Sequence, residues 1–211
     1  CTWQQNAPIC KYFYMKKILF LGYNNEQTSL IDKIQFHKKK WSVKQTQKKI
    51  NLNTAKKFNS IISFGYRHII DKDIIDNLKY PIINLHISFL PYNKGAHPNF
   101  WSFAENTPSG ITIHQVDCGI DTGKIIYQKQ INFELSKKKQ TLTFSKTYKV
   151  LINEIENLFL INIDNIINQT FNSSEQIGEG SYHNKKDLPK LLKNWEQNIY
   201  QTVLKYKKLY K

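Results

Sequence analysis

Several residue types that mark familiar protein classes are scarce in this chain. Its 211 residues include three cysteines, eight glycines, one methionine and one arginine, Arg67. Cys1, Cys10 and Cys118 are odd in number and show no C-x-x-C spacing. That argues against a disulfide framework and against a metal site of the zinc type, and for a reducing, cytoplasmic compartment. No apolar run approaches the ~18 residues needed to cross a bilayer, so a soluble protein without membrane contact is expected. The first strand-like run is followed by LFLGYNNEQTS, with a single glycine. A dinucleotide fingerprint needs several glycines at that turn, so NAD binding is excluded despite the order of elements described below. The opening CTWQQNAPICKYFY has no basic start followed by an apolar core and so does not resemble a signal peptide. Met15 stands directly before KKILFLGYN. Translation is expected to begin there, leaving residues 1–14 as a non-native or disordered extension.

Positive charge is abundant: 31 Lys and Arg against 16 Asp and Glu give +15. The lysines are scattered, with short clusters at Lys38-Lys39-Lys40, Lys137-Lys138-Lys139 and the C-terminal tail. Specific phosphate and base readers lean on arginine, and there is only one. The charge therefore reads as solubility, with some attraction for a phosphorylated small molecule, and argues against a nucleic-acid partner.

Apolar runs alternate with helical patterns. Strands are expected at Lys17–Gly22, Trp41–Lys44, Ser60–Phe64, Pro81–His86, Gly110–Val116 and Lys124–Phe133. Helical stretches are expected from Gln27 to Lys38, over a polar segment ending near Phe58, and from Thr141 to Asn168. Near-continuous runs such as ILFL, SIISF and PIINL suit central parallel strands covered on both faces. The Gly110 and Lys124 strands are joined only by a loop and suit an antiparallel pair. The expected fold is α/β: a Rossmann-like, mostly parallel sheet flanked by helices over residues 15–170. A polar surface loop follows from Gln169 to Asn184. Asp187 then caps a last helix with Pro189 in its first turn and one apolar face of Leu188, Leu192, Trp195, Ile199, Val203 and Tyr206. That face either covers the domain or pairs with a second copy as a homodimer.

The most informative stretch is PIINLHISFLPYNKGAHPNFWSFAENTPSGITIHQVDCGIDTG, from Pro81 to Gly123. Asn84 and His86 are two apart at the end of a strand and so share one side of it. Asp121 follows in a turn-rich G-I-D-T-G segment. An amide, an imidazole and a carboxylate converging at the carboxyl end of a sheet suit acyl transfer. His97, His114 and Asp117 are competing groups, and His114 reads equally well as structural or as part of the site.

N-L-H-I-S-F-L-P followed by K-G-A-H-P-N-F-W and D-C-G-I-D-T-G resembles the folate-dependent formyltransferases. That family includes methionyl-tRNA, glycinamide ribonucleotide and sugar N-formyltransferases. The resemblance implies N10-formyltetrahydrofolate as formyl donor, a primary amine as acceptor, and Asn84, His86 and Asp121 as the catalytic set. It implies folate contacts from Tyr66, Arg67, His68 and Ile69, largely through backbone, and from the Asp117 and Gly119 loop. Arg67 could instead meet the glutamate tail of the folate. Cys118 stands where relatives often carry an acid. The turn after the first strand lacks the Gly-Ser-rich character of the glycinamide ribonucleotide enzymes. G-A-H-P-N-F-W is closer to the sugar enzymes than to the G-A-A-P-I-Q-W of the tRNA enzymes, and 211 residues leave no room for the C-terminal β-barrel of the latter. The acceptor so implied is a sugar nucleotide, with Lys94 and Tyr182 as its contacts. The alternatives are methionyl-tRNA, glycinamide ribonucleotide, or hydrolysis of the formylfolate by a deformylase-like enzyme.

Overall fold

The computed structural model describes residues 15–37, 41–133 and 142–210. The extension at residues 1–14 and the lysine clusters at 38–40 and 137–139 lie outside the described residues. A six-stranded sheet organises the chain, in the order β2-β1-β3-β4-β6-β7. Its first half is parallel: β2 (Trp41–Thr46), β1 (Lys16–Gly22), β3 (Ser60–Phe64) and β4 (Ile83–His86). β6 (Gly110–Gln115) is antiparallel to β4, and β7 (Ile125–Gln130) is antiparallel to β6. Helices α1 (Leu30–His37), α2 (Leu52–Ala55), α3 (Lys72–Asn77) and α4 (Pro98–Ala104) fill the connections.

Alternation along each strand builds two cores. Ile18 and Phe20, Ile62 and Phe64, Ile83 and Leu85, and Ile111 and Ile113 face one side, against Leu151, Ile155 and Phe159 of α5 (Phe144–Ile161). Leu19, Leu21, Ile61 and Ile82 face the other, against Ala55 of α2 and Ile74 of α3. Burying each such side chain contributes about 1.5–3 kcal/mol. The near-continuous apolar runs of β1 and β3 follow from this two-sided burial. On β4 the residues between Ile83 and Leu85 and after Leu85 are Asn84 and His86, so the same alternation sends them away from the first core.

Three boundaries differ from expectation. The long helix is two, α5 and α6 (Ile163–Asn168), broken at Asn162, whose side-chain amide turns back to the Leu158 carbonyl at 2.9 Å. The last helix, α7, runs Ile199–Tyr210 and does not begin after Asp187. Asp187 closes only a short 3-10 turn at Lys185–Asp187, and Asn198 caps α7 through the Gln201 N–H at 3.0 Å. Ile199 and Val203 pack with Phe100, Trp101, Phe103 and Phe144, so the apolar face covers the domain. The segment read as a surface loop contains β8 (Tyr182–His183), which pairs with β5 (Lys94–Gly95) in a second, two-stranded sheet. No helix among the described residues is long and apolar enough to cross a membrane.

Candidate active site

β1 is flanked by β2 on one side and β3 on the other, so successive connections leave it in opposite directions. In open α/β sheets the crevice beyond the carboxyl ends of strands at such a reversal is where ligands sit. A cavity of about 670 Å³ lies there, bordered by Tyr23 after β1, Phe64, Gly65 and Arg67 at the end of β3, and Leu85, His86 and Ile87 at the end of β4. Phe100, Phe144, Tyr148 and Trp195 make its aromatic wall. Its size and largely apolar lining suit a small-molecule ligand.

The polar cluster beside this cavity is built by register. Asn84 lies directly across from His114, and His86 across from Thr112. Asn84 Nδ2 therefore reaches His114 Nε2 at 3.1 Å, and Asp121 Oδ1 at 3.2 Å. Asp121 Oδ2 accepts from the Gly95 N–H at 2.8 Å and lies 3.7 Å from His86 Nε2, while Oδ1 is 3.4 Å from His114 Nε2. Gly95 is required where it stands: its φ is +85°, and a Cβ would lie 2.4 Å from the His183 carbonyl oxygen. His114 Nδ1 faces the Gln115 carbonyl at 2.8 Å, so that nitrogen carries a hydrogen, which leaves Nε2 to accept from Asn84. His86 Nε2 likewise faces the Asn93 carbonyl at 3.4 Å and carries its hydrogen there. Both N–H hydrogens of Asn84 are thus directed at His114 and Asp121. Donation to a substrate oxygen requires giving up one of them.

Burial pushes the His86 imidazole below its ordinary range, and the neighbouring His114 adds to this against the opposing pull of Asp121. A ring lowered in this way is neutral at neutral pH. Burial pushes the Asp121 carboxyl up, but the two histidines and the Gly95 N–H outweigh it and hold the group well below the usual carboxylate range. An ionised carboxylate beside a neutral imidazole can receive and pass on one proton.

Asn84, His86 and Asp121 are brought together, and of the three His86 lines the cavity. Arg67 lines it as well, whereas its neighbours turn elsewhere. The Tyr66 hydroxyl donates to the Lys48 carbonyl at 2.9 Å and accepts from the Ile50 N–H at 3.2 Å. His68 Nε2 meets the Gln47 carbonyl at 3.0 Å, and Ile69 is exposed. Asp117 accepts from the Gly119 N–H at 3.0 Å and from the Thr122 hydroxyl at 2.6 Å, shaping the turn before Asp121. Lys94 and Tyr182 are register partners in the small sheet, and the Tyr182 hydroxyl donates to Asn184 at 3.0 Å. His97 lines the cavity, with its ring 5.4 Å from that of Trp195. Sequence reasoning left His114 open and missed the Gly95 N–H. The signal for His114 was the strand pairing, which a one-residue change of register would have erased.

The chain as a whole is similar to known proteins. The structure of the formyltransferase PseJ from Anoxybacillus kamchatkensis, solved with UDP-4,6-dideoxy-4-formamido-L-AltNAc and tetrahydrofolate, superposes with a TM-score of 0.78 at 38% identity, covering 89% of this chain and 97% of that one. The methionyl-tRNA formyltransferase of Rickettsia canadensis is 30% identical over 168 residues, 75% of this chain and 51% of its own length. The dTDP-4-amino-4,6-dideoxyglucose formyltransferase of Mycobacterium bovis is 26% identical over 137 residues, 65% of this chain and 56% of its own. The chain thus spans about half the length of these last two relatives. Residues 15–149, from the start of β1 into α5, match the formyl transferase family model, and the chain belongs to that family.

Proposed function

We propose that the chain transfers a formyl group from N10-formyltetrahydrofolate to the primary amine of a nucleotide-linked aminodeoxysugar. The preferred acceptor is a UDP-linked 4-amino-4,6-dideoxy sugar. The observation that carries this reading is the likeness to PseJ, which extends over nearly the whole of both chains and whose complex contains the formylated sugar nucleotide and tetrahydrofolate.

The chemistry requires the amine nitrogen to attack the formyl carbon, the carbonyl oxygen to take up negative charge, and the bond from carbon to N10 to break. A proton leaves the amine and one arrives at N10. Asn84, swinging one N–H from His114 or Asp121 to the developing oxyanion, supplies a donor already within the site. His86, neutral and on the cavity wall, takes the amine proton and returns it to N10, and the Asp121 carboxylate supports the imidazolium formed in between. Folate is assigned to the loop after β3. The side chains of Tyr66 and His68 pin this loop to the segment after β2, leaving its backbone and Arg67, with Ile69, to meet the pterin or the glutamate tail. The Asp117–Gly119 turn is assigned to the folate as well. Lys94 and Tyr182, flanking Gly95, are assigned to the sugar or its diphosphate.

Purified protein supplied with formylfolate and a panel of UDP- and dTDP-linked amino sugars tests the proposal. Formylation of a 4-amino sugar nucleotide is expected. Formylation of methionyl-tRNA with no sugar accepted overturns the acceptor, and formate release without any amine overturns transfer in favour of hydrolysis.

A further inference from the structure

The polar segment before β8 carries no periodic signal, yet it runs against the catalytic end of the sheet. Ser174 exchanges two backbone hydrogen bonds with Ile125, at 2.8 and 2.9 Å, just past the Asp121 loop. Ser181 holds Asn93, and β8 holds Gly95, the residue whose N–H meets Asp121. Between these anchors the Gln176 side-chain amide donates both hydrogens, one to the Asp121 carbonyl at 2.8 Å and one to the Gly123 carbonyl at 2.9 Å. Two carbonyl neighbours can only accept, so the amide nitrogen must face them. The consequence is that Gln176 Oε1 is buried without a hydrogen-bond partner. A surface glutamine with no task has no reason to accept that cost.

What the amide grips is an unusual piece of backbone. Asp121 has φ +54°, the left-handed region that residues with a Cβ rarely adopt. Rotation at this residue swings the carboxylate, whose contacts to the two histidines are already long at 3.4 and 3.7 Å. We propose that Gln176 is a positioning residue for formyl transfer: by clamping the carbonyls of Asp121 and Gly123 it fixes the left-handed turn that aims the Asp121 carboxylate at Gly95, Asn84, His86 and His114. The inference rests on the reading that Asp121 takes part in the transfer. It also gives residues 174–183 a role, as a strap that braces the site.

The test is steady-state kinetics on the full chain, with formylfolate and the UDP-linked 4-amino-4,6-dideoxy sugar. The variants are Gln176→Met, which keeps length and removes both donors, Gln176→Asn, which keeps the amide but cannot span both carbonyls, and Asp121→Asn. Glu175→Gln serves as a strap control, because Glu175 is exposed and its ion pair among the described residues is with Lys124, itself exposed. Gln176→Met is expected to lower kcat by roughly 10- to 100-fold with little change in the KM for formylfolate, as a slight misplacement of a reacting group does. Gln176→Asn should fall between it and the parent, and Glu175→Gln should match the parent. The acid limb of the pH–rate profile, where protonation removes His86 as the base, should move downward in Gln176→Met, because the imidazole loses part of the Asp121 contact that favours its charged form. The ionisable groups facing Asp121 are His86 from β4 and His114 from β6. A Gln176→Met protein with parental kcat, or one whose loss tracks thermal stability with the acid limb unmoved, overturns the inference. Near-parental turnover by Asp121→Asn overturns the underlying mechanism instead, whatever Gln176 does.

Discussion

Among the described residues, the buried Glu156 and the nearly buried Asp121 are carboxylates held in opposite ways. Glu156, on α5, is 3% exposed and is saturated by donors. Its Oε1 accepts from the Thr28 hydroxyl at 2.7 Å and the Ser29 N–H at 3.3 Å, and its Oε2 from the Ser29 hydroxyl at 2.5 Å and Lys33 at 3.2 Å. Asp121 has one short hydrogen bond, to the Gly95 N–H, one to Asn84, and two imidazoles at longer range. In both cases burial pushes the carboxyl up and the partners more than offset it. The difference lies in the partners. Two hydroxyls, a backbone N–H and an ammonium keep their protons near neutrality, so Glu156 is a fixed tie between α5 and the residues that open α1. Imidazoles exchange protons in that range, so Asp121 sits in a cluster able to change state. Burial alone does not separate a structural carboxylate from a reactive one; the titration range of its neighbours does.

Exchanging each carboxylate for its amide should split activity from stability. Asp121→Asn is expected to cost about 10²-fold or more in turnover, the scale of losing one preorganised electrostatic element, with formylfolate affinity much less affected. Turnover and folate binding measured together decide it, and near-normal turnover would return Asp117 as the acid. Glu156→Gln is expected to do the reverse. One buried oxygen becomes an NH2 facing the donors of Ser29 and Lys33, so roughly 2–4 kcal/mol should be lost in urea unfolding while the folded enzyme keeps most of its turnover. If Glu156→Gln instead inactivates a stably folded protein, the contrast between the two carboxylates fails.

How far the sequence carried the reader follows the same division. Asn84 and His86 were legible because a strand places residues two apart on one side, and Asp121 because its turn motif is a pattern shared with the family. The two-sided cores were legible because β1 and β3 carry near-continuous apolar runs. His114 acquires its place only from its pairing opposite Asn84, a long-range fact with no local mark. The C-terminal region was least legible. Pro189 and the lysines after Asp187 satisfy the rules for a helix start, yet the chain turns there, with the Leu192 N–H bonded to the Pro189 carbonyl at 3.1 Å. The Gln197 side chain then accepts from the N–H groups of Lys193 and Asn194, occupying donors a helix beginning at Asp187 would have used. Trp195 reaches the cavity from this irregular stretch, and not from the face of a helix. β8 is two residues long, too short for any period to show, and Gln176 acts through a side chain in a segment that has none.

The smallest expected effect concerns acid stability, and there the two clusters should separate by pH. His86 is held below its ordinary value by burial, and His97 is lowered in the same way, with Lys185 adding to it. For such a group the unfolded chain binds the proton more readily, so stability is intact above the unfolded value of about 6.5 and declines as pH falls below it. Glu156 and Asp121 are depressed carboxyls. Their contribution is fully present above the unfolded value of about 4 and is lost as pH falls further, through the folded value. Acidification should therefore weaken the fold in two stages, each group adding a slope of at most about 1.4 kcal/mol per pH unit. Urea midpoints from pH 8 to pH 3 measure both. His86→Gln should flatten the stage between about pH 6.5 and 5, and Glu156→Gln should leave that stage unchanged while flattening the one below about pH 4. A parent midpoint that instead rises as pH falls from 7 to 5, in a manner abolished by His86→Gln, would mean that the folded state holds a proton on His86 more tightly than the unfolded chain does. The proton would then already reside on the imidazole before the amine arrives, and His86 would have to act as a donor to the oxyanion from the outset.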